Sequence, residues 1–312
     1  MANFALSSGV VVPLMIYMLV GFLIRTTGIF SRENFKALNQ MLFRVLIPLS
    51  LFNSIRASDF SSVADIRLIL ITEALLIGSC VFLWYVLKRP VPEKRDRSTL
   101  VQGCFRANTV LIGGVIASAL CDDAGTALIA ALTALVVPTI NIESVVLFEL
   151  ARGGKIRPLD LLGRIFKNPI VIAGIIGILF SLLKLDLPKV LDTPVRSLGN
   201  AATPIGLVAL GGVLSFDSIR KHIPLLALAS LTKLVLMPLA AVAIVGPMGY
   251  RGGAMAAMLA VFASPTAVAS APMAQAMGGN GDLASEIVAA TSVLSLLSLF
   301  ALISMLAGMG WL

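Results

Sequence analysis

Two short stretches of the chain, about 157 positions apart, interrupt apolar runs with polar or helix-breaking residues. The stretches contain Arg106, Asn108 and Thr109, and Ser264, Pro265 and Thr266. Proline removes a backbone donor and disfavours helix in the residue before it, while asparagine favours turns and helix caps. An interrupted helix exposes N–H groups at one end and carbonyl groups at the other, and these ends bind anions and cations respectively. Both stretches are therefore candidate ion-binding breaks.

The two stretches are related to each other in sequence. Aligned without gaps, they share identical residues at Phe105 and Phe262, Thr109 and Thr266, Ala117 and Ala274, Ala119 and Ala276, and Ala127 and Ala284. Pro48 and Pro204 recur at a similar offset. The chain therefore reads as two diverged halves, 1–150 and 168–312.

The composition predicts that membrane-spanning helices carry both breaks. Of the 312 residues, 58% are hydrophobic and 13% are charged, whereas soluble domains have about 25% charged residues. A helix of about 20 apolar residues crosses the roughly 30 Å hydrocarbon layer of a membrane. We therefore predict an all-α polytopic protein with spans at 6–25, 37–56, 66–87, 99–120, 126–149, 168–184, 197–216, 223–246, 253–277 and 283–307. Five spans per half make the halves an inverted repeat.

Positively charged residues predict how the spans are oriented. About fifteen Lys and Arg residues lie on one side, and the other side carries Arg56, Arg67, Lys184, Lys189, Arg196 and Arg251. The positive-inside rule makes the richer side cytoplasmic, so both termini lie on the non-cytoplasmic side of the plasma (inner) membrane. The net charge of +8 lies in short loops between spans, which is not the pattern of a nucleic-acid-binding groove.

The residue inventory argues against an enzyme. His222 is the only histidine, and the three cysteines lack the spacing of a metal site, so we expect neither a metal nor another cofactor. The segment 153–155 lacks the pattern of a phosphate-binding loop. A polytopic membrane enzyme would need a catalytic cluster, and the weak candidate Asp122–Asp123 is interpreted as a pair at a helix end.

The breaks are predicted to lie deep in the membrane. Asn108 and Pro265 are each about ten residues into their spans, which corresponds to about 15 Å. Small or polar residues surround them, namely Thr109, Ser264, Thr266 and Gln275. These side chains either bind a solute or allow close packing of helices.

Four ionisable residues within the spans are candidates for charge recognition or coupling. Glu73 and Lys233 are hypothesised to pair across spans three and eight, either as a coupling pair or as a static structural one. Arg106 directly precedes the first break, where it either attracts an anionic solute or neutralises Glu143.

At these residues the chain resembles the auxin efflux carrier family of membrane transporters. The matching segments are Leu46-Ile47-Pro48, Phe52-Asn53-Ser54, Phe105-Arg106-Ala107-Asn108, Pro138 with Asn141, Ala202-Thr203-Pro204, and 263–279. The similarity covers nearly the whole chain, and the last motif is the most specific. One departure is that the first broken segment has no proline.

The resemblance implies ten helices in an inverted repeat, with broken helices 4 and 9 crossing at Asn108 and Pro265 and with Asn141 nearby. It implies a scaffold of helices 1, 2, 6 and 7, which commonly dimerises, and a transport domain of helices 3–5 and 8–10 that moves like an elevator. Family substrates are organic anions, such as auxin in plants and dicarboxylates in some bacteria.

The sequence therefore predicts a secondary active transporter that exports or exchanges a small organic anion. We expect the anion to contact backbone N–H groups at the crossing, with hydrogen bonds from Asn108, Thr266 and Gln275 and positive potential from Arg106 or Lys233. The alternatives are a sodium-coupled organic anion symporter of the bile-acid type, which needs a carboxylate-rich cation site, and a passive channel.

Overall fold

The computed structural model describes residues 2–57, 65–110, 113, 116, 120–152, 163 and 165–312, with only the backbone of 2–11 and 216–217. This part of the chain is helical, and its only β-type pairing is one isolated bridge. Its α-helices are α1 Ala2–Thr26, α2 Arg32–Met41, α3 Ile47–Arg56, α4 Ile66–Val86, α5 Lys94–Phe105, α6 Asp123–Ala151, α7 Pro169–Leu182, α8 Lys189–Val213, α9 Phe216–Leu231, α10 Met237–Val245, α11 Gly253–Phe262, α12 Ser270–Met277 and α13 Gly281–Gly308.

Two π-helical turns connect consecutive helices into longer ones. Leu42–Leu46 joins α2 to α3, and Thr232–Leu236 joins α9 to α10. Each turn directly precedes a helix with proline at its second residue, Pro48 or Pro238. A proline ring clashes with the carbonyl group four residues earlier, and a wider turn relieves this clash.

The prediction of an all-helical membrane protein is confirmed. Within the described residues, five helical stretches are long and apolar enough to cross a membrane, namely Arg32–Arg56, Ile66–Val86, Asp123–Ala151, Ser218–Val245 and Gly281–Gly308. Shorter apolar helices are Val12–Thr26, Pro169–Leu182 and Gly253–Phe262. The arrangement of ten spans as an inverted repeat stays a prediction.

Close backbone contact joins α1 to α8. A Cβ atom on Gly21 would lie 1.9 Å from the carbonyl oxygen of Val208, and one on Gly211 would lie 1.9 Å from that of Met18. No larger residue fits at either position without moving a helix. Small residues allow such contact in membranes, where apolar burial gives little drive for helix association.

The buried apolar side chains form two main cores. One unites α4, α5, α6, α9, α10, α11 and α13, and the other unites α2, α3, α7, α8 and α12, with further contributions from α6 and α13. Leu207 of α8 also packs with Val268, which follows the second break. The predicted division into a scaffold and a transport domain stays a prediction.

The acidic pair Asp122–Asp123 lies at the start of α6, as interpreted from the sequence. Asp122 is the N-cap residue, and its carboxylate accepts a hydrogen bond of 2.9 Å from the backbone N–H of Gly125. Such a cap satisfies one of the N–H groups that have no partner within the helix.

Candidate functional site

Both predicted interruptions are present in the structure. Helix α5 ends at Phe105, the backbone is extended through Asn108, and helical geometry resumes at Thr109. Helix α11 ends at Phe262, and α12 begins only at Ser270. The first break therefore forms without a proline, whereas the second contains Pro265.

The two breaks contact each other through their backbones. The N–H of Asn108 donates to the carbonyl of Pro265 at 2.9 Å, and the N–H of Ala267 donates to the carbonyl of Arg106 at 3.1 Å. Ala107 and Thr266 form the isolated antiparallel bridge between them. Buried backbone groups must find partners, and here each break supplies partners for the other.

This pairing changes the expected role of the backbone. We predicted that free N–H groups at the crossing contact the anion, but those of Asn108 and Ala267 are already bonded across the bridge. The N–H of Thr266 donates to the side-chain oxygen of Thr291 at 3.2 Å. Side chains beside the crossing are therefore better placed to bind a solute than these backbone groups.

Arg106 is the most unusual of these side chains. It is only 2% exposed, and one terminal nitrogen, Nη2, donates to Oδ1 of Asn141 at 2.7 Å. The other, Nη1, lies 2.6 Å from the sulfur of Met273, and Nε has no hydrogen-bond partner in the described part of the chain. Among the described residues, no carboxylate forms an ion pair with Arg106. A buried guanidinium without a counter-charge is costly.

Arg106 lines a cavity of about 780 Å³ beside the crossing. The walls come from α1, α3, α6 and α8, and from residues of both breaks. Asn108, Thr109 and Asn141 also line the cavity, so four of the predicted site residues come together there. None of the described lining residues is acidic, and the cavity is therefore positively charged.

The other predicted binding residues have structural contacts instead. Ser264 and Thr266 donate hydrogen bonds from their hydroxyl groups to the carbonyls of Ala260 and Gly103. Neither residue lines the cavity, and nor does Pro265. The hydroxyl group of Thr266 is bonded to α5 in this structure, and its contact with a substrate stays a prediction.

Gln275 also lies away from the cavity. Its side chain accepts a hydrogen bond from Asn39 at 3.0 Å and donates one to the carbonyl of Lys36 at 3.1 Å. These bonds connect α12 to α2. Gln275 therefore joins two helices and does not line the cavity, and its contact with a substrate stays a prediction.

The hypothesised pair of Glu73 and Lys233 is not found among the ion pairs of the described residues. Lys233 is fully buried in the second π-helical turn, and its Nζ lies 3.5 Å from the carbonyl oxygen of Phe105. This carbonyl is the last in α5, where the helix dipole concentrates negative charge. Lys233 therefore stabilises the end of the broken helix and does not line the cavity.

Glu73 and Glu143 lie within electrostatic range of each other on α4 and α6. Both oxygens of Glu143 are buried, and neither has a hydrogen-bond partner among the residues that the structure describes. Asn141 and Glu143 are two residues apart, about 200° around a helix with 3.6 residues per turn. Since Asn141 faces Arg106, Glu143 faces the other way, and the alternative that Arg106 neutralises Glu143 is wrong.

Sequence reasoning missed the part of the cavity wall that α8 contributes. Arg196, Asn200 and Thr203 line this part of the wall. Arg196 lies just before the predicted span seven, which was expected to begin at 197. Their spacing of four and three residues places them on one face of a helix. That spacing is the signal in the sequence that indicates a polar face on α8.

The fold and the site together define a membrane transport protein. Residues 6–303 match the model of the family described as "Membrane transport protein". The chain therefore belongs to this family, and its resemblance to the auxin efflux carriers is confirmed.

Two curated relatives have the same general description. An uncharacterized transporter from Methanothermobacter thermautotrophicus is 25% identical over 307 residues, covering 94% of this chain and 96% of the relative. The uncharacterized transporter YfdV from Escherichia coli K12 is 26% identical over 240 residues, covering 74% of this chain and 75% of the relative. Both relatives are described as transporters.

A solved structure has a similar fold. The sodium proton antiporter MjNhaP1 from Methanocaldococcus jannaschii superposes with a TM-score of 0.61 and covers 96% of this chain and 97% of the antiporter. The sequence identity is only 14%, so the likeness concerns the fold alone.

Proposed function

We propose that the protein is a secondary active transporter of a small organic anion. The observation that carries this proposal is the Arg106 guanidinium, which is buried at the cavity beside the helix crossing without a counter-charge among the described residues. An anionic group of the substrate is the complement that this position lacks. A carboxylate matches the planar guanidinium and can accept two parallel hydrogen bonds from it.

The neighbours of Arg106 support the proposal. Asn141 bonds its own Nδ2 to the carbonyl of Val137 at 2.7 Å, which fixes the orientation of the amide oxygen that receives Arg106. Asn108 and Thr109 supply further polar groups on the same side of the crossing. The buried hydroxyl oxygen of Thr109 has no hydrogen-bond partner among the described residues.

The proposed mechanism is alternating access of the elevator type, in ten spans that form two inverted five-helix repeats. The cavity lies between the proposed scaffold helices α1, α3 and α8 and the crossing, which belongs to the proposed transport domain. A sliding movement of the crossing would carry Arg106 and its substrate past a fixed wall. Loaded and empty carriers must be similarly stable, so that gradients alone set the direction, here proposed as efflux or exchange.

The charge of the cavity favours an anion over a cation. A sodium-coupled symporter of the bile-acid type would need carboxylates at the crossing, and the described residues that line the cavity contribute none. The solved neighbour is named for sodium and protons, but it shares only the fold. We therefore propose an organic anion as the substrate. From the distribution of positive charge, we also propose that the protein lies in the plasma membrane with both termini outside.

Reconstituted protein tests the proposal directly. Liposomes containing the wild type are assayed with radiolabelled acetate, benzoate, succinate and citrate, with and without a pH gradient. We expect uptake of at least one carboxylate, and loss of that uptake in Arg106→Gln. Arg251→Gln is the matched control, because Arg251 stacks on Trp311 and does not line the cavity. A correctly folded Arg106→Gln protein with full uptake would exclude the proposed site.

A further inference from the structure

The end of the cavity away from the crossing is marked by Arg196. The lining residues of α8 run from Arg196 to Leu207, about three turns or 16 Å of helix. Leu207 is fully buried and packs with Val268 beside the crossing, whereas the side chain of Arg196 is 59% exposed. Arg196 therefore lies at the mouth of the cavity, and Arg106 lies at its base.

A cluster of charges holds Arg196 at this mouth. The carboxylate of Asp192 accepts a bond of 2.7 Å from Nε of Arg196 and a second bond from Nη2 of Arg56. Arg56 also donates to Asn53 at 3.2 Å and lies over the ring of Phe52. These contacts join the end of α3 to the start of α8.

The mouth cluster carries a net positive charge. Two guanidinium groups share one carboxylate, so one positive charge remains uncompensated within the cluster. Asp192 engages the Nε of Arg196, and the side chain of Arg196 is largely exposed. A narrow cavity with low-dielectric walls strengthens the field of such a charge and raises the local concentration of anions.

We propose that Arg196 is an anion contact at the mouth of the cavity, which an anionic substrate meets before it reaches Arg106. This inference rests on the proposed function, because it assumes that the cavity admits anions. Arg196 belongs to α8 of the proposed scaffold, whereas Arg106 belongs to the crossing. The contact therefore acts when the cavity is open at the mouth that Arg196 marks. It should alter the KM of substrate that enters through this mouth.

Charged thiol reagents measure the potential at the mouth without knowledge of the substrate. Thr203→Cys, or Asn200→Cys nearer the mouth, introduces a reporter thiol into the cavity wall of a protein whose three native cysteines are replaced by alanine. The rates of reaction with an anionic sulfonate methanethiosulfonate and a cationic trimethylammonium methanethiosulfonate are then compared. We expect the anionic reagent to be favoured, and Arg196→Gln to lower this preference by about three- to tenfold.

Two further variants separate charge from structure. Asp192→Asn removes the carboxylate, so the preference for the anionic reagent should rise, although the same ion pairs are broken. Arg251→Gln removes a distant cation and should leave the preference unchanged. A preference in Arg196→Gln within twofold of the parent, or a failure of both reporter thiols to react, would overturn the proposal.

The same variants distinguish this inference from the proposed function. With benzoate or whichever panel carboxylate the wild type carries, Arg196→Gln should raise the KM from one side at low ionic strength and leave the maximal rate unchanged. If Arg106→Gln abolishes transport while Arg196→Gln keeps the parent reagent preference, only the mouth contact is wrong. If Arg196→Gln lowers the preference while Arg106→Gln transports normally, only the proposed function is wrong.

Discussion

The two helix breaks meet in one antiparallel bridge, yet their side chains do different things. The first break is short and contains no proline, and Arg106 and Asn108 reach the cavity from it. The second break spans 263–269 and contains Pro265, but the hydroxyl groups of Ser264 and Thr266 bond to backbone carbonyls outside the cavity. The polar side chains of the first break therefore face the cavity, whereas those of the second break bond within the protein.

The comparison also shows that a helix can be interrupted without a helix-breaking residue. At the first break, Lys233 lies by the last carbonyl of α5, and the second break bonds the backbone groups of Arg106 and Asn108. These partners replace the hydrogen bonds that a continuous helix would form. The break at Arg106 is thus imposed by tertiary contacts, whereas the second break is also favoured by the local backbone preference of Pro265.

The largest effect is expected at Arg106, the residue of the first break that we propose binds the substrate. Arg106→Gln removes the cation that faces the substrate, and we expect transport of the panel carboxylates to fall by about 100-fold. Thermal unfolding should show that the variant is folded, because the substitution removes a buried charge that has a high desolvation cost. Uptake within a few fold of the wild type would make both breaks purely structural.

Asn141→Asp should give the next largest effect. The new carboxylate has the shape of the amide and would form an ion pair with Arg106, which then has no charge to offer a substrate. We expect the KM for the transported carboxylate to rise by at least about tenfold. In thermal stability, the new ion pair is set against the loss of the hydrogen bond from Nδ2 to the carbonyl of Val137. Asn141→Leu provides the uncharged control. An unaltered KM in Asn141→Asp would show that the substrate does not bind at Arg106.

Thr266→Val tests the supporting role of the second break. The change keeps the shape of the side chain but leaves the carbonyl of Gly103 without its 2.6 Å hydrogen bond. We expect the free energy of unfolding to fall by about 1 to 2 kcal/mol, with the KM unchanged. The measurements are thermal unfolding in detergent and transport kinetics in liposomes. A large rise in KM at normal stability would instead place Thr266 in the recognition site.

Pro265→Ala should have the smallest effect. The bridge partners still hold the break open, so the loss should be under about 1 kcal/mol and come mainly from greater freedom of the unfolded chain. Transport should stay within about threefold of the wild type, since a difference that small shifts a rate or affinity only modestly. Transport as low as in Arg106→Gln would show that the break depends on Pro265 itself.

Much of the helical framework could be predicted from the apolar runs. The predicted span at 66–87 corresponds to α4, Ile66–Val86, because charged residues flank a largely apolar run on both sides. Span seven was predicted at 197–216, but α8 begins at Lys189. Its first turns are polar, and Pro194 lies inside the helix, so neither hydropathy nor breaker signals indicate that it starts there.

The candidate site was predicted less completely than the framework. Arg106, Asn108, Thr109 and Asn141 converge on one cavity, but Thr266 and Gln275 face elsewhere and Arg196 was missed. Around a break the helical repeat is lost, so the sequence does not indicate which way the next side chain points. Spans that are apolar on most sides give no second marker of the buried face.

Sequence alone determined that the chain is a helical membrane transporter and that Pro265 interrupts one of its helices, because hydropathy and the backbone preference of proline are local properties. Tertiary structure decided which groups satisfy the interrupted backbone. It paired Arg106 with Asn141, placed Lys233 at the end of α5, and left Arg106 without a counter-charge among the described residues. Such partners come from distant parts of the chain, and only the folded packing brings them together.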